Sequence, residues 1–191
     1  MAVLPETDEC RLIVAGFGGQ GIMTLGKLLC TAAMHEGKNV TYMQSYGAEV
    51  RGGTANCQIV IGTGTIYSPV VEQADTLVVL SQPSYDRFAP LLRPDGLMLV
   101  NASTVVVGPD GAGAARRLVR LPATEIAAEM GDVRVANVIM LGALLRLTQL
   151  VGLEACQAAM AQLLGRRRPE LLDLNERAMA RGRELAADAQ S

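Results

Sequence analysis

Two segments of this 191-residue chain carry residue types that could bind a ligand. The first is a glycine turn, Gly16-Phe-Gly-Gly-Gln-Gly21, which follows a short apolar run and precedes a helical pattern. Glycines in this position allow a tight turn and let an anion approach backbone N–H groups at the positive end of a helix. The spacing of Gly16, Gly18 and Gly21 predicts either a site for an anionic group such as phosphate or a turn that only packs the helix closely on a sheet.

The second segment is a polar, glycine-rich loop, Ser45-Tyr-Gly-Ala-Glu-Val-Arg-Gly-Gly-Thr54. Its guanidinium, Arg51, could bind a phosphate or carboxylate through two parallel hydrogen bonds, and Glu49 could pair with Arg51 or with a partner protein. The alternative is a surface loop whose charges are only solvated. The candidate contact residues of both segments are Gly16, Gly18, Gly19, Gln20, Gly21, Ser45, Tyr46, Glu49, Arg51, Gly52 and Gly53.

Two familiar nucleotide sites fit the glycine turn poorly. A dinucleotide site also needs an acidic residue at the end of the second strand to hold the ribose, and Met43-Gln44-Ser45 offers none. The spacing from Gly21 to Lys27 is close to that of a Walker A loop, but Leu28 replaces the hydroxyl residue that binds Mg²⁺. We therefore expect no ATP hydrolysis. NAD binding is supported only by an incomplete glycine motif, since the acidic residue is missing.

Catalytic side chains are scarce elsewhere in the sequence. The one histidine, His35, falls near the end of the first predicted helix, where we expect it to interact with the helix C-terminus. Because we assign His35 to the helix end and the sequence holds no second histidine, we expect neither a Ser-His-Asp triad nor a histidine-based metal site. The four cysteines are scattered, without C-x-x-C spacing, and predict reduced, mostly buried thiols and no iron–sulfur cluster or structural zinc on this chain. The chain is poorly equipped to perform chemistry alone.

Composition predicts a folded cytoplasmic protein that binds neither nucleic acid nor membrane. Half of the residues are hydrophobic, 19% are charged, and the net charge is −2, which excludes a disordered chain and disfavours a basic groove. Aromatic residues make up only 3%, with no tryptophan, so base-stacking surfaces are not expected. Residues 1–10 lack the basic and apolar regions of a secretory signal, and no apolar run reaches the length of a membrane span.

Hydrophobic periodicity predicts one α/β domain over residues 1–191, with a Rossmann-like, mostly parallel sheet and a helical C-terminal third from about residue 123. Alternating polar and apolar residues at Asn56–Ile61, with no room for a preceding crossover helix, predict a half-exposed antiparallel or edge strand. The other predicted strands are Arg11–Ala15, Asn39–Met43, Asp75–Ser81 and Leu97–Asn101, and the predicted helices are Ile22–Gly37, Pro83–Leu92, Val135–Val151, Leu153–Leu164 and Pro169–Ala187.

The two polar segments together resemble a known family. Gly16-Phe-Gly-Gly-Gln-Gly-Ile22 and Ser45-Tyr-Gly-Ala-Glu-Val-Arg-Gly-Gly-Thr-Ala-Asn-Cys57 are similar to the gamma subunit of 2-oxoacid:ferredoxin oxidoreductases. The form of the second motif resembles the 2-oxoglutarate and branched-chain members, although Ala48 stands where many relatives have proline. The resemblance continues through Ile66-Tyr-Ser-Pro69, the strand after Asp75, Asn137–Ala143, Asn175-Glu-Arg-Ala178 and Gly182.

The resemblance implies a non-autonomous subunit of an enzyme that decarboxylates a 2-oxoacid, transfers the acyl group to coenzyme A and reduces ferredoxin. It implies thiamine diphosphate between alpha and beta subunits, and iron–sulfur clusters on beta and delta (ferredoxin-like) subunits. The gamma chain would adopt a Rossmann-like domain near the coenzyme A side, where the glycine turn and Arg51 could position that cofactor, and the isolated chain could form a homodimer. Two alternatives remain open: a free-standing nucleotide-binding module and a scaffold without a ligand.

Overall fold

The computed structural model describes residues 9–45, 54–108, 117–165 and 171–188, which form a sheet and surrounding helices. The described strands are β1 Glu9–Phe17, β2 Asn39–Ser45, β3 Thr54–Gly62, β4 Ala74–Val79, β5 Leu92–Asn101 and β6 Arg117–Leu121. The described α-helices are α1 Ile22–His35, α2 Gln82–Phe88, α3 Ala123–Glu129, α4 Ala136–Thr148, α5 Leu153–Met160 and α6 Leu172–Asp188. Two 3-10 turns, Ala89–Leu91 and Val133–Val135, and one π turn, Ala161–Gly165, join them.

The described strands form one sheet in the order β2-β3-β1-β4-β5-β6. Strands β1, β4, β5 and β6 pair in parallel, whereas β3 runs antiparallel to both of its neighbours, β1 and β2. The predicted mostly parallel α/β sheet with a helical C-terminal third is confirmed. The antiparallel alternative for Asn56–Ile61 is also confirmed, but this strand lies inside the sheet and not at its edge.

Strand β3 is more buried than its alternating pattern predicts. On the face opposite Cys57, the side chains of Asn56 and Val60 are almost fully buried. Gln58, on the same face, accepts a hydrogen bond from the backbone N–H of Val71 at 2.8 Å, so the segment after β3 returns across it. The prediction of a half-exposed strand is wrong because the chain itself, and not solvent, covers these polar positions.

The described helices cover the two faces of the sheet unequally. One core joins a face of the sheet to α1, α3, α4, α5 and α6. The other core lies between the opposite face, α2 and residues near positions 66–71 and 105–107. Since α1 and α2 lie on opposite faces, the direction of the connections changes between β1 and β4. Every helix in the described ranges is too short or too polar to cross a bilayer.

Two glycines let α4 and α6 pack backbone against backbone. A Cβ on Gly142 would lie 2.9 Å from the carbonyl carbon of Met179, and one on Gly182 would lie 2.8 Å from the carbonyl carbon of Ile139. Real Cβ atoms essentially never come this close to such atoms, so neither position can take a larger residue unless the helices separate. This crossing fixes the start of α6 relative to the start of α4.

The four cysteines are free and buried in the core, as predicted. Burial raises the pKa of each thiol to about 12, and for Cys10 the neighbouring charge of Asp75 adds to this effect. A thiol with so high a pKa holds almost no thiolate near neutral pH, and the thiolate is the reactive form. These side chains therefore act as small apolar core residues.

We expect Gly182→Ala to lower the free energy of unfolding by about 1–3 kcal/mol, the usual cost of adding a methyl group to a close-packed contact. Denaturant titration of the purified chain measures this change. The matched control is Gly64→Ala, because a Cβ at Gly64 meets nothing within 4 Å. Equal unfolding midpoints for the two variants would contradict the close contact between α4 and α6.

We also expect the native chain to be inert toward a thiol reagent at pH 8 and to release four titratable thiols in denaturant. Burial both blocks access and keeps the pKa values near 12, so labelling requires unfolding. The positive control is Gln157→Cys, which places a thiol at an exposed position of α5. Labelling of any native cysteine as fast as this control would show that the core is open.

Candidate functional site

The glycine turn lies at the carboxyl end of β1 and leads directly into α1. Gly19 and Gly21 have φ values of +92° and +76°, a backbone conformation that side-chain-bearing residues rarely adopt. A Cβ at Gly16 would lie 2.6 Å from Oε1 of Gln20 and 2.7 Å from Cδ1 of Ile22, so these side chains would have to move to admit a larger residue. Gly18 has open space around it. The turn conformation therefore accounts for Gly19 and Gly21, close packing accounts for Gly16, and the backbone at Gly18 and Gly19 is exposed.

Gln20 bridges the ends of two neighbouring strands. Its Oε1 accepts a hydrogen bond from the backbone N–H of Phe17 at 2.7 Å, and its Nε2 donates to the carbonyl of Leu80 at 2.9 Å. Phe17 ends β1 and Leu80 directly follows β4, the two strands between which the connections change direction. Doubly wound sheets usually bind ligands in the crevice at that point. Here the carboxamide of Gln20 spans the crevice.

The first turn of α1 keeps its hydrogen-bond donors available. The first N–H groups of an α-helix have no partner within the helix, and no side chain of the described residues caps this one. These N–H groups and the positive end of the helix dipole favour a hydrogen-bond acceptor or an anion. Anion binding at this turn stays a prediction, and the donors that it would use lie at Gly18, Gly19 and the start of α1.

The geometry gives no support to a dinucleotide or Walker A site. Strand β3 separates β1 from β2, so the end of β2 at Ser45 is not the direct neighbour of the glycine turn. Lys27 is exposed within α1 and does not lie in a loop around a phosphate. Gly26 serves packing, since a Cβ there would lie 2.7 Å from Sγ of Cys57 and 2.8 Å from the ring of Tyr42.

The polar loop begins and ends beside the glycine turn. Ser45, the last residue of β2, pairs with Asn56, and Thr54, the first residue of β3, pairs with Phe17. The sheet therefore brings the two ends of the loop to the edge where the glycine turn lies. The remaining candidate residues of this loop lie outside the described residues: Tyr46, Glu49, Arg51, Gly52 and Gly53.

A cavity of about 300 Å³ lies next to the glycine turn, on the face covered by most of the helices. It is bounded by the first turn of α1, the start of α4 with the 3-10 turn before it, the π turn and the start of α6. Its lining residues are Gly19, Gly21, Thr24, Asp132, Arg134, Val135, Asn137, Val138, Leu163, Leu164, Leu171 and Asn175. Sequence reasoning did not find this cavity, although asparagines in apolar helical stretches were an available signal.

Two buried asparagines organise the cavity. Asn137, at the start of α4 and 4% exposed, donates from Nδ2 to the carbonyl of Gly21 at 3.0 Å. Asn175, in α6 and 7% exposed, donates from Nδ2 to the carbonyl of Leu171 at 2.6 Å. A Cβ on Gly21 would lie 2.7 Å from Cγ of Asn137, so this glycine is required both for its φ angle and for this contact.

The charged groups of the cavity neutralise each other. Nε of Arg134 donates to both carboxylate oxygens of Asp132 at 2.9 Å, and Nη2 donates to Oδ2 at 2.6 Å. The side-chain and backbone hydrogen bonds from Arg134 lower the pKa of Asp132 to about 2, and the same pairing raises the pKa of Arg134. Both groups are therefore charged at neutral pH and form an ion pair with no net charge.

The described residues contain no group of three or more histidine, cysteine or acidic side chains that could hold a metal ion. His35 lies in the last turn of α1, and its Nε2 is 2.8 Å from Oε1 of Gln162 in the π turn. Neither this histidine nor the buried thiols lie beside an activating partner at the cavity. The arrangement can bind and orient a ligand, and it offers no complete set of catalytic groups among the described residues.

Sequence comparison places the chain among subunits of oxidoreductases. Residues 11–185 match the family described as pyruvate ferredoxin/flavodoxin oxidoreductase. The chain is 37% identical to the ketoisovalerate oxidoreductase subunit VorA of Methanothermobacter thermautotrophicus, across 96% of this chain and 38% of VorA. It is 39% identical to the 2-oxoglutarate synthase subunit KorC of Methanocaldococcus jannaschii, across 79% of this chain and 80% of KorC. The chain thus spans little more than a third of VorA and most of KorC.

Solved structures have the same fold. The gamma subunit of a keto/oxoacid ferredoxin oxidoreductase from Geobacter sulfurreducens superposes with a TM-score of 0.81 at 28% identity, over 94% of this chain and 99% of that subunit. A 2-oxoglutarate:ferredoxin oxidoreductase chain from Magnetococcus marinus, solved with 2-oxoglutarate, coenzyme A and succinyl-CoA, gives 0.84 at 23% identity, over 96% of this chain and 32% of that one.

The family resemblance, which begins in the glycine turn and the polar loop and continues to Gly182, is thereby confirmed over residues 11–185. The family match covers most of the residues that form the sheet, the cavity and the α4–α6 crossing. This chain belongs to the pyruvate ferredoxin/flavodoxin oxidoreductase family.

Proposed function

We propose that this chain is the gamma subunit of a 2-oxoacid:ferredoxin oxidoreductase, an enzyme that converts a 2-oxoacid to acyl-CoA and reduces ferredoxin. The observation that carries the proposal is the coverage of its relatives. The same unit accounts for 99% of the Geobacter gamma subunit, 80% of KorC and only 38% of VorA. A unit that is a whole subunit in one relative and a fraction of a longer chain in another is expected to act as one module of a larger enzyme.

The proposal assigns the redox and carbanion chemistry to partner subunits. Thiamine diphosphate would lie between alpha and beta subunits, and iron–sulfur clusters would lie on beta and delta subunits. The four cysteines of this chain support this division, since each is a free thiol in the core with a pKa raised to about 12 by burial. Relatives named for ketoisovalerate and for 2-oxoglutarate have similar identities, so both are substrates to test. We propose 2-oxoglutarate as the first, because the match accounts for 80% of KorC and only 38% of VorA.

We further propose that the edge of the sheet around the glycine turn positions coenzyme A. The uncapped N–H groups at the start of α1 and the open backbone at Gly18 and Gly19 fit the acceptor oxygens of its phosphates. The polar loop joins the sheet at the same edge, through Ser45 and Thr54, and carries Arg51. In this role the chain binds and orients the acyl acceptor, and Glu49 orients Arg51 or a partner loop.

Coexpression with candidate alpha and beta chains tests the subunit assignment. We expect a stable complex whose 2-oxoacid-dependent reduction of ferredoxin requires coenzyme A and is lost when this chain is left out. The purified chain alone is the control, and its molar mass will also show whether it forms a homodimer. Complete 2-oxoacid oxidation by the isolated chain, or no complex with any thiamine-binding partner, would refute the proposal.

For the assembled enzyme, we expect Arg51→Ala to raise the KM for coenzyme A about ten- to hundredfold with little change in kcat. A hydrogen bond to a charged group contributes about 1.5–3 kcal/mol, and each 1.4 kcal/mol is a tenfold change in affinity. The matched control is Arg117→Ala, which removes an exposed arginine from the edge strand β6. Steady-state kinetics at varied coenzyme A concentration gives both constants.

Two other outcomes would favour the alternatives. Unchanged assembly and unchanged kinetics in Arg51→Ala would favour a scaffold without a ligand role. A rise in Tm with NAD, FAD or ATP, and none with coenzyme A or with partner subunits, would favour a free-standing nucleotide-binding module.

A further inference from the structure

We infer that Asn137 is a positioning residue for coenzyme A, which acts on the cofactor through the glycine turn. Its side chain donates to the carbonyl of Gly21 and so holds the backbone donors at the start of α1 in one orientation. The inference rests on the proposed function, which assigns this turn to coenzyme A. It adds to the site a residue that lies 116 positions further along the chain.

The carbonyl of Gly21 accepts two hydrogen bonds. The backbone N–H of Leu25 donates at 2.9 Å, which is the first hydrogen bond of α1, and Nδ2 of Asn137 donates at 3.0 Å. A carbonyl oxygen has two lone pairs, so both donors are accommodated. A bond of the first kind begins every α-helix, whereas the second comes from the start of α4 and depends on the tertiary fold. Asn137 therefore links the turn to the helical layer.

Holding this carbonyl also sets the direction of a donor. The peptide bond between Gly21 and Ile22 is trans and planar, so the carbonyl of Gly21 and the N–H of Ile22 point in opposite directions. Ile22 is the first residue of α1, where backbone N–H groups have no acceptor within the helix. If the carbonyl rotates, this donor rotates with it. Asn137 thus controls the orientation of an N–H group that the proposed coenzyme A site uses.

The residue that needs this link is a glycine. Gly21 has a φ value of +76°, and glycine can adopt more backbone conformations than any other residue. No side chain of the described residues caps α1. Asn137 is 4% exposed, and its Cγ lies 2.7 Å from the place of a Cβ on Gly21, so it packs directly against the glycine. The contact and the hydrogen bond together restrict a turn whose own sequence restricts it little.

The sheet side of the glycine turn is held by other groups. Gln20 bonds to the N–H of Phe17 and to the carbonyl of Leu80, and Oγ1 of Thr104 donates to that same carbonyl at 2.8 Å. These bonds do not involve Asn137, so its replacement leaves the turn joined to the sheet. We therefore expect loss of Asn137 to loosen the half of the turn next to α1 and to weaken coenzyme A binding without unfolding the chain.

Steady-state kinetics of the assembled enzyme with Asn137→Ala tests the inference. We expect the KM for coenzyme A to rise about three- to tenfold, the range that one net hydrogen bond between neutral groups contributes. Both kcat and the KM for the 2-oxoacid should change less than twofold, because a loosened turn weakens ground-state and transition-state binding of coenzyme A equally. A purely structural role would lower Tm without this separation of the kinetic constants.

The matched control is Asn101→Ala, which truncates another buried asparagine. Asn101 is 0% exposed, lies at the end of β5 outside the cavity lining, and donates from Nδ2 to Oγ1 of Thr124 at 2.8 Å. This variant should lower Tm and leave the KM for coenzyme A within twofold. If the gap left by Asn137→Ala prevents assembly, Asn137→Leu fills the space without supplying a donor, and it should raise the KM for coenzyme A by a similar factor.

The outcomes separate the inference from the subunit assignment. A KM for coenzyme A within twofold of the unmodified enzyme, in whichever Asn137 variant assembles, would overturn the inference, as would an equal rise in Asn101→Ala. In both cases the unmodified complex would still reduce ferredoxin in a coenzyme A-dependent reaction, and the proposed function would stand. Failure of the unmodified chain to form such a complex would refute the proposed function, and the inference with it.

Discussion

The hydrogen bond from Asn137 to the carbonyl of Gly21 holds the glycine turn against the helical layer. It joins the start of α4 to the turn between β1 and α1, across 116 residues of sequence. Because Asn137 occupies the space where a Cβ of Gly21 would lie, the turn and α4 meet in one arrangement. The close crossing of α4 and α6 at Gly142 and Gly182 then fixes α6 relative to the same turn. Three helix starts are thereby brought around one cavity.

Gln20 lies where a doubly wound sheet usually holds its ligand. In a doubly wound sheet the crevice at the change of direction is the usual ligand site, and here the carboxamide of Gln20 spans it between Phe17 and Leu80. Strand β3 also lies between β1 and β2, so the end of β2 is one strand further from the glycine turn than in a dinucleotide-binding sheet. The chain thus has the glycine spacing of a dinucleotide-binding fold. It does not have that fold's arrangement of neighbouring strand ends around the turn. The turn lies beside the helical layer and near Ser45 and Thr54, the strand ends that flank the polar loop.

Local patterns predicted most elements of the fold, since the apolar run at Arg11–Ala15 and the helical repeat after Ile22 are strong signals. Strand β6 was missed because it lies at the sheet edge, where Arg117 and Arg120 are exposed and interrupt the apolar pattern. The pattern around Asn56 does not predict its burial. A segment distant in sequence covers this side chain, and the local alternation of polar and apolar residues contains no information about that segment. The cavity depends on contacts between residues far apart in sequence, such as Gly21 with Asn137, and no single window of sequence contains them. Of the predicted site residues, the glycine turn with Gln20 and Ser45 lie at one edge of the sheet, and the others fall in the loop outside the described ranges.

The two charged side chains at the cavity, Asp132 and Arg134, form an ion pair with each other. Without Asp132, Arg134 and the positive end of α1 would both attract phosphate, and the cavity would bind anions without selectivity. Pairing with Asp132 cancels that charge and leaves the helix N–H groups and the asparagine oxygens as the polar features that a ligand meets. Neutral hydrogen-bonding groups discriminate by geometry, since a ligand that leaves one of them unpaired loses affinity. At this cavity, where the described residues hold no complete catalytic set, selectivity for a ligand would therefore come from the geometry of these hydrogen-bonding groups.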